Sequence, residues 1–223
     1  ENKKNVSKEL YEATLQEIKF RNYKCEKMNV VKTSSKSNPE IRRTTNSKLP
    51  ICPSTGRKHN CFGTVISSKR KYVGEFKDNK FNGYGKYYHL AKGSLKGYIY
   101  EGEWLNNKRH GVGTVIWPNG NKYIGEQKNG ELHGFGTFFS LANNKFKGDK
   151  YTGEYKNGKR HGKGKMTEFS GVVYEGDYKD SKYHGKGKYT YTNGDVYEGD
   201  WKDGKKDGKG KHTGANGDVC EGD

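Results

Sequence analysis

The sequence predicts an all-β fold: an elongated, single-layer antiparallel sheet of stacked β-hairpins, preceded by a short N-terminal helix and a disordered linker. Three observations lead there. First, a unit recurs six times, from Tyr72, Tyr100, Tyr123, Tyr151, Tyr174 and Tyr197. It reads Tyr-x-Gly-acid, usually an aromatic, then a turn, then a polar residue followed by Gly-x-Gly. Second, the leading tyrosines are spaced 28, 23, 28, 23 and 23 residues apart, a period of 23 with two insertions of five. Such a period marks a repeat architecture whose units bury their apolar faces only against neighbours. Third, the hydrophobic fraction is 29%, which excludes an aliphatic core of ordinary thickness. In its place stand 17 Tyr, 9 Phe and 3 Trp, many at fixed repeat positions. Each ring buries a large area, so a thin aromatic layer orders a chain whose composition alone suggests disorder.

Residues 1–48 lack the repeat. Leu10, Tyr11, Thr14, Leu15 and Ile18 fall at helical spacing with Ser7 placed to cap them, which predicts a helix over 7–19. Lys32 to Lys48 is rich in Ser, Thr, Asn and Lys around Pro39 and reads as a disordered basic linker. The array is expected over 49–223. It opens on a half-repeat near 60–66, where Asn60-Cys61-Phe62-Gly63-Thr64 matches Asn82-Gly83-Tyr84-Gly85-Lys86. Six repeats cover 72–215, and a truncated seventh starts at Asp218, where Asp218 to Asp223 copies Asp195 to Asp200.

Each unit decodes as two short strands and a turn. In the fourth, Tyr151, Gly153 and Tyr155 share one face, because side chains alternate along a strand. Asn157-Gly158 turns the chain, since both residues readily take positive φ. Uniform alternation then places Gly162, Gly164 and Met166 on one face and Lys163 and Lys165 on the other. Setting those glycines opposite the aromatics gives each ring a slot free of Cβ atoms, a known stabilising arrangement. Asn119-Gly120, Ser170-Gly171 and Asn193-Gly194 turn the chain between units, so the hairpins extend as one twisted meander.

These residues resemble the MORN (membrane occupation and recognition nexus) family. Its pattern is close to Tyr-x-Gly-Glu-Trp-x-x-Gly-Lys-x-His-Gly-x-Gly over 23 residues. Tyr197-Glu198-Gly199-Asp200-Trp201-Lys202-Asp203-Gly204-Lys205 and Tyr151 to Gly164 come near it. The departures are Gln127 at the second aromatic, Asn82 and Asp207 where His is usual, and Cys220 for Tyr. The resemblance covers about residues 60–223 and implies a rod of stacked hairpins with an aromatic-lined groove. The rings assigned to that groove or to the structure beneath it are Tyr72, Phe76, Tyr100, Trp104, Tyr123, Tyr151, Tyr155, Tyr174, Tyr178, Tyr197 and Trp201.

The candidate chemistry is thin. Glu75, Glu103, Glu126, Glu154, Asp177 and Asp200 form a column, but equivalent carboxylates lack the asymmetry that separates an acid from a base. Ion pairing to lysines on neighbouring strands is the better account. His110, His133, His161 and His184 recur about 10 Å apart, two strand spacings, too far to share one ion. The Gly-x-Gly pairs lack the helix and Lys-Ser ending of a phosphate loop, and no nucleophile elbow, kinase signature or zinc-protease helix is present. No enzyme, cofactor or small-molecule substrate is expected. Cys52 and Cys61 are placed to close a small loop, though four cysteines in 223 residues are not a disulfide framework. No apolar stretch approaches the roughly 20 residues of a spanning helix.

The formal charge of +17 is spread along the chain. It suits polyanions, and equally a thin sheet that protects its edges with lysine. Two functions follow. In the first, a non-catalytic scaffold holds a partner protein, or a second copy of itself, through the aromatic groove. In the second, a peripheral module meets anionic phospholipid through repeated lysines, for which Lys163, Lys165, Lys186, Lys188, Lys209 and Lys211 are the candidates. The insertions Ala91 to Gly97 and Leu141 to Lys147 read equally as tolerated loops and as a binding face, to which departures from a repeat often map. Nucleic acid ranks last, because the tyrosines it would stack on are occupied in packing.

Overall fold

Whether a chain this poor in aliphatic residues builds a sheet depends on its turns. In the computed structural model, which describes residues 47–222, six two-residue turns do the work. They are Asp78-Asn79, Asn106-Asn107, Asn129-Gly130, Asn157-Gly158, Asp180-Ser181 and Asp203-Gly204, and both residues of each have positive φ. That is the conformation whose twist matches the flanking strands, and Asn, Asp and Gly tolerate it best.

The strands they join, in chain order, are β1 Cys61–Ile66, β2 Arg70–Lys77, β3 Lys80–His89, β4 Ile99–Leu105, β5 Lys108–Ile116, β6 Lys122–Lys128 and β7 Glu131–Phe139. There follow β8 Lys150–Lys156, β9 Lys159–Thr167, β10 Val173–Lys179, β11 Lys182–Thr190, β12 Val196–Lys202, β13 Lys205–Thr213 and β14 Val219–Gly222. They form one open antiparallel sheet in strict sequence order. The all-β, single-sheet fold is therefore as the repeat predicts. The expected helix over 7–19 and nearly all of the linker lie outside the described residues.

One face of the sheet carries the core. The leading tyrosine of each hairpin lies flat over a pair of facing glycines: Gly153 pairs Gly164 in register, as Gly74 pairs Gly85 and Gly199 pairs Gly210. A Cβ on Gly164 would lie 2.6 Å from a ring carbon of Tyr151, and one on Gly153 would lie 2.5 Å from the Gly164 Cα. The slot thus exists, and only a residue without a side chain leaves room for it. Each leading tyrosine then donates its hydroxyl to the carbonyl of the acid three residues on, at 2.8 to 3.3 Å across the six units.

The second slot glycine is a correction. Gly162 does not continue the alternation toward Gly164 and Met166. It has φ +61° and sits in a β-bulge, where the register jumps between Gly153 and Tyr155. A bulge adds residues to one strand and re-aims the backbone. The Glu154 carboxylate fills the space above Gly162 and accepts the Lys163 amide at 3.2 Å. Glu75, Glu103, Glu126 and Asp177 accept the equivalent amides of Tyr84, Val112, Phe135 and Lys186. The acid column therefore serves first to satisfy the bulge backbone. The expected ion pairing is added at Asp177, 2.7 Å from Lys163, and at Asp200, 2.7 Å from Lys186.

Successive hairpins are also joined at their turns. The second turn residue donates its amide back to the preceding hairpin, as Asn107 does to Phe81, Gly130 to Arg109, Gly158 to Leu132, Ser181 to Arg160 and Gly204 to Tyr183. At the N-terminal edge, Cys52 and Phe62 exchange backbone bonds with Phe62 and Pro50, and a disulfide joins Cys52 to Cys61. The Cys52 side chain covers Gly63, the place a leading tyrosine takes in every full unit.

Candidate interaction surfaces

The core rings form a ladder. Phe76, Trp104, Tyr155, Tyr178 and Trp201 occupy the second-aromatic position, and from Trp104 onward each bridges two leading tyrosines edge to face. Trp104 lies 5.5 and 5.1 Å from the Tyr72 and Tyr100 centroids, and Tyr155 lies 5.3 and 5.2 Å from Tyr123 and Tyr151. Tyr178 joins Tyr151 to Tyr174, and Trp201 joins Tyr174 to Tyr197. Edge-to-face pairs at these distances add to the area term. The two tryptophans also donate Nε1–H to the Gly85 and Gly187 carbonyls.

All eleven rings assigned from the sequence are buried, the most exposed being Trp104 at 8%. They are the sheet's own packing layer, and a partner has no access to them. Burial pushes the phenols of Tyr72, Tyr100, Tyr123, Tyr151, Tyr155, Tyr174 and Tyr178 far above their ordinary value. The reachable rings on this face are a half-buried fringe: Tyr87, Trp117, Phe138, Tyr183, Tyr189 and Tyr191 pack against the core from its rim.

The opposite face differs along its length. From β2 to β7 it carries Val73, Ile99, Val112, Ile116, Ile124 and Phe139, and Lys86 pairs with Glu101 at 2.8 Å. From β9 onward it carries lysines and acids in alternate columns. Two shallow hollows run over the glycine belt there. One, of about 740 Å³, is lined by Lys186, Lys188, Lys209 and Lys211, and one of about 540 Å³ by Lys163, Lys165 and Lys186. The structure thus gathers all six candidate lysines in one trough. Five face carboxylates across the strands: Lys163–Asp177 and Lys186–Asp200 at 2.7 Å, Lys188–Glu198 at 2.8 Å, Lys165–Glu175 at 3.2 Å and Lys211–Glu221 at 3.8 Å. Paired in this way, they present alternating charge and little net field. Lysines also meet along the hairpin-turn edge, where Lys77 faces Lys80, Lys156 faces Lys159, Lys179 faces Lys182 and Lys202 faces Lys205, with Asp180 and Asp203 pairing Lys159 and Lys182.

The MORN repeat model matches residues 72–89, 100–122, 123–140, 151–167, 174–196 and 197–219, more than half of the chain. The chain belongs to the MORN-repeat family. No curated protein matches the sequence. Among matching solved structures is the SAS-4 (dCPAP) TCP domain of Drosophila melanogaster, in complex with a proline-rich motif of Ana2 (dSTIL). It is 14% identical, with 78% of this chain and 97% of that chain covered and a TM-score of 0.36, a likeness too distant to bear on function. Membership points to a repeat scaffold or interaction module.

One column of the MORN units escapes a reading of the sequence. Phe81, Arg109, Arg160, Tyr183 and Lys206 sit opposite the second aromatic and roof the leading tyrosines. Phe81 stacks on Tyr72 and Tyr183 on Tyr174, both at 3.7 Å, while Arg109, Arg160 and Lys206 place cations over Tyr100, Tyr151 and Tyr197 at 5.8, 5.5 and 4.2 Å. A flat ring and a cation both satisfy a ring face, so the position looks unrelated from unit to unit. The two arginines also donate to the next turn, at the Gly130 and Ser181 carbonyls. The signal available was register: each stands five residues after a bridging position.

Proposed function

We propose that this MORN sheet is a non-catalytic scaffold that holds a partner protein on its ring-bearing face. The half-buried fringe carries this reading. Fifteen residues after five of the six leading tyrosines stands a half-buried side chain, Tyr87, Phe138, Met166, Tyr189 or His212, and this row offers contact beside a rigid buried layer that Val115 joins in the remaining unit. Rigid aromatic anchors with polar tips are what protein interfaces favour. The carboxylate column is committed to the bulge amides, which leaves it no free acid–base pair. The paired lysine trough offers an anionic bilayer less than six lone lysines would.

The test is capture of lysate proteins on the immobilised chain at low and high salt, run beside flotation with phosphatidylserine vesicles. A partner retained in high salt supports the scaffold. Loss of all captured protein in high salt, with vesicle flotation at low salt, overturns it in favour of lipid, since exposed charges are screened beyond about 8–10 Å near physiological salt.

A further inference from the structure

The two insertions are copies of one another. Leu90-Ala91-Lys92-Gly93-Ser94-Leu95-Lys96-Gly97 and Leu141-Ala142-Asn143-Asn144-Lys145-Phe146-Lys147-Gly148 share Leu, Ala, a second apolar residue, Lys and Gly at matching places. They fold alike. Lys96 and Lys147 donate to the carbonyls of Gly93 and Asn144, Gly97 and Gly148 to those of His89 and Ser140, and Tyr98 and Asp149 to those of Leu95 and Phe146.

Some of the shared residues have a reason within the fold. Gly97 and Gly148 have φ of +92° and +102°, where glycine is favoured, and Ala142 is buried. The apolar pair has none. Leu90 and Leu141 are 43% and 44% exposed, and Leu95 and Phe146 are 50% and 53% exposed. Other positions differ freely between the loops, such as Gly93 against Asn144 and Tyr98 against Asp149. Each exposed pair stands beside two lysines, Lys92 and Lys96 in one loop and Lys145 and Lys147 in the other, with no acid between Leu90 and Gly97 or between Leu141 and Gly148. Phe169, 81% exposed, extends the second loop, its amide held by Asp149 at 3.0 Å. Single exposed leucines need no explanation, but the same exposed pair built twice, each time followed by a matching lysine (Lys96 and Lys147) with a second lysine nearby, does.

We infer that the two loops are equivalent docking posts for a partner that presents the same short motif twice, an apolar anchor flanked by carboxylates. The inference rests on the scaffold reading for the partner being a protein, and moves the contact from the ring face to the linking-turn edge. Charge and apolarity set the motif: lysines call for acids, and a protruding Leu or Phe calls for an apolar side chain.

Geometry sets the two-copy partner. The loops follow β3 and β7, four strand spacings or roughly 19 Å apart. Over four strands an ordinary sheet twist turns the second loop roughly 80–100° from the first. A flat bilayer or one straight helix would meet one loop at a time. Two motifs on a flexible tether, or on two subunits, meet both.

The test titrates the whole chain with a ten-residue acidic peptide carrying one Leu and one Phe, and with two copies of it joined by a Gly/Ser linker. Two short peptides should bind per chain, and the tandem should bind roughly 10²-fold tighter because its second contact is intramolecular. Leu95→Ser and Phe146→Ser should each leave one site and remove the tandem gain, with unchanged melting. Lys96→Glu and Lys147→Glu, which keep the apolar side chains, should do the same. Absence of binding, stoichiometry unmoved by the variants, or no tandem gain on the wild type would overturn the inference. So would vesicle flotation that depends on Leu95 and Phe146 while the tandem gains nothing. A lysate partner held in high salt equally by the wild type and a Leu95→Ser/Phe146→Ser double variant would sink this inference and leave the scaffold reading standing.

Discussion

On either side of Gln127 the same ladder is built from different rings. N-terminal to it, Tyr72 and Tyr100 are bridged and roofed by Phe76, Phe81 and Trp104. Beyond the bridge that Gln127 would make from Tyr100 to Tyr123, the tyrosines Tyr123, Tyr151, Tyr174 and Tyr197 are bridged and roofed largely by phenols, Tyr155, Tyr178 and Tyr183, with Trp201 at the end. Between the blocks, no ring pair among the described residues joins Tyr100 to Tyr123. Gln127 is 3% exposed at the bridging position, and neither its Nε2 nor its Oε1 has a partner. The comparison teaches that a bridge takes an indole or a phenol alike, and that the sheet stands with one bridge lacking a ring. The break at Gln127 is a local cost that neighbouring units absorb.

The largest expected effect separates the blocks by alkali. Burial pushes the Tyr183 phenol up to about 12 and those of Tyr155, Tyr174 and Tyr178 further still. A raised folded pKa contributes stability that is complete below the unfolded value, roughly 10, and is lost as pH rises through the folded value. The phenol-rich C-terminal block should therefore open first as pH climbs above about 10. Pulse proteolysis, with fragments mapped by mass spectrometry, reads it. Earlier cleavage of β2–β5 would show that phenol content does not set the order.

Next in size are the bridges themselves. Trp104→Ala and Trp201→Ala should each cost roughly 3–5 kcal/mol, since each removes a buried ring and two edge-to-face pairs. Similar melting shifts for the two would confirm that the blocks share a plan, whereas a Trp201 effect below about 1 kcal/mol would mean that bridging is confined to the N-terminal block. Gly164→Val should cost upward of about 2 kcal/mol, because the Tyr151 ring occupies the space, despite valine's preference for strands. A Gly158→Ala control has nothing within 4 Å of its Cβ and should cost only the roughly 1–2 kcal/mol that its φ of +78° imposes on alanine. A melting temperature raised by Gly164→Val would disprove the slot.

Gln127→Trp should work in the opposite direction. By register an indole there would reach Tyr100 and Tyr123 and donate to the Gly113 carbonyl, as Trp104 does to Gly85. Two new ring pairs at about 0.5–1.5 kcal/mol each predict a gain of roughly 1–2 kcal/mol and one melting transition for both blocks. Destabilisation would show that the neighbours have already closed over the gap. The smallest effect is Tyr178→Phe. The Tyr178 hydroxyl is buried without a partner, so its removal should be neutral or stabilise by up to about 1 kcal/mol. A clear loss in denaturant melts would mean that the hydroxyl is bonded in solution.

Much of this was legible before any coordinates. The 23-residue period, the Asn-Gly turns and the Tyr–Gly complementarity gave the strand order and the face on which the rings lie. One misreading and two features that were not legible have related causes. Strict alternation carried Gly162 to the ring face, because a bulge leaves no mark in sequence beyond a glycine already explained another way. The lysine column looked like a basic surface since Lys163, Lys165, Lys186 and Lys188 recur together. Their partners Asp177, Glu175, Asp200 and Glu198 lie a strand away, and only the register brings each pair together. The roof over the tyrosines stayed hidden because Phe81, Arg109 and Lys206 share no chemistry except what they do to a ring.

Every strand of this sheet pairs with the strands next to it in sequence, and each turn bonds to the turn before it. That connectivity has a kinetic meaning. All-β proteins are usually slow to fold because they must close long loops before distant strands reward the closure. Here no closure exceeds one hairpin and its link, so relative contact order is low for a sheet of this size. Any hairpin with a good turn, such as β8–β9 around Asn157-Gly158, can start the process and its neighbours can add in either direction. Refolding from denaturant should therefore run closer to the rate of a helical bundle than to that of a β-sandwich.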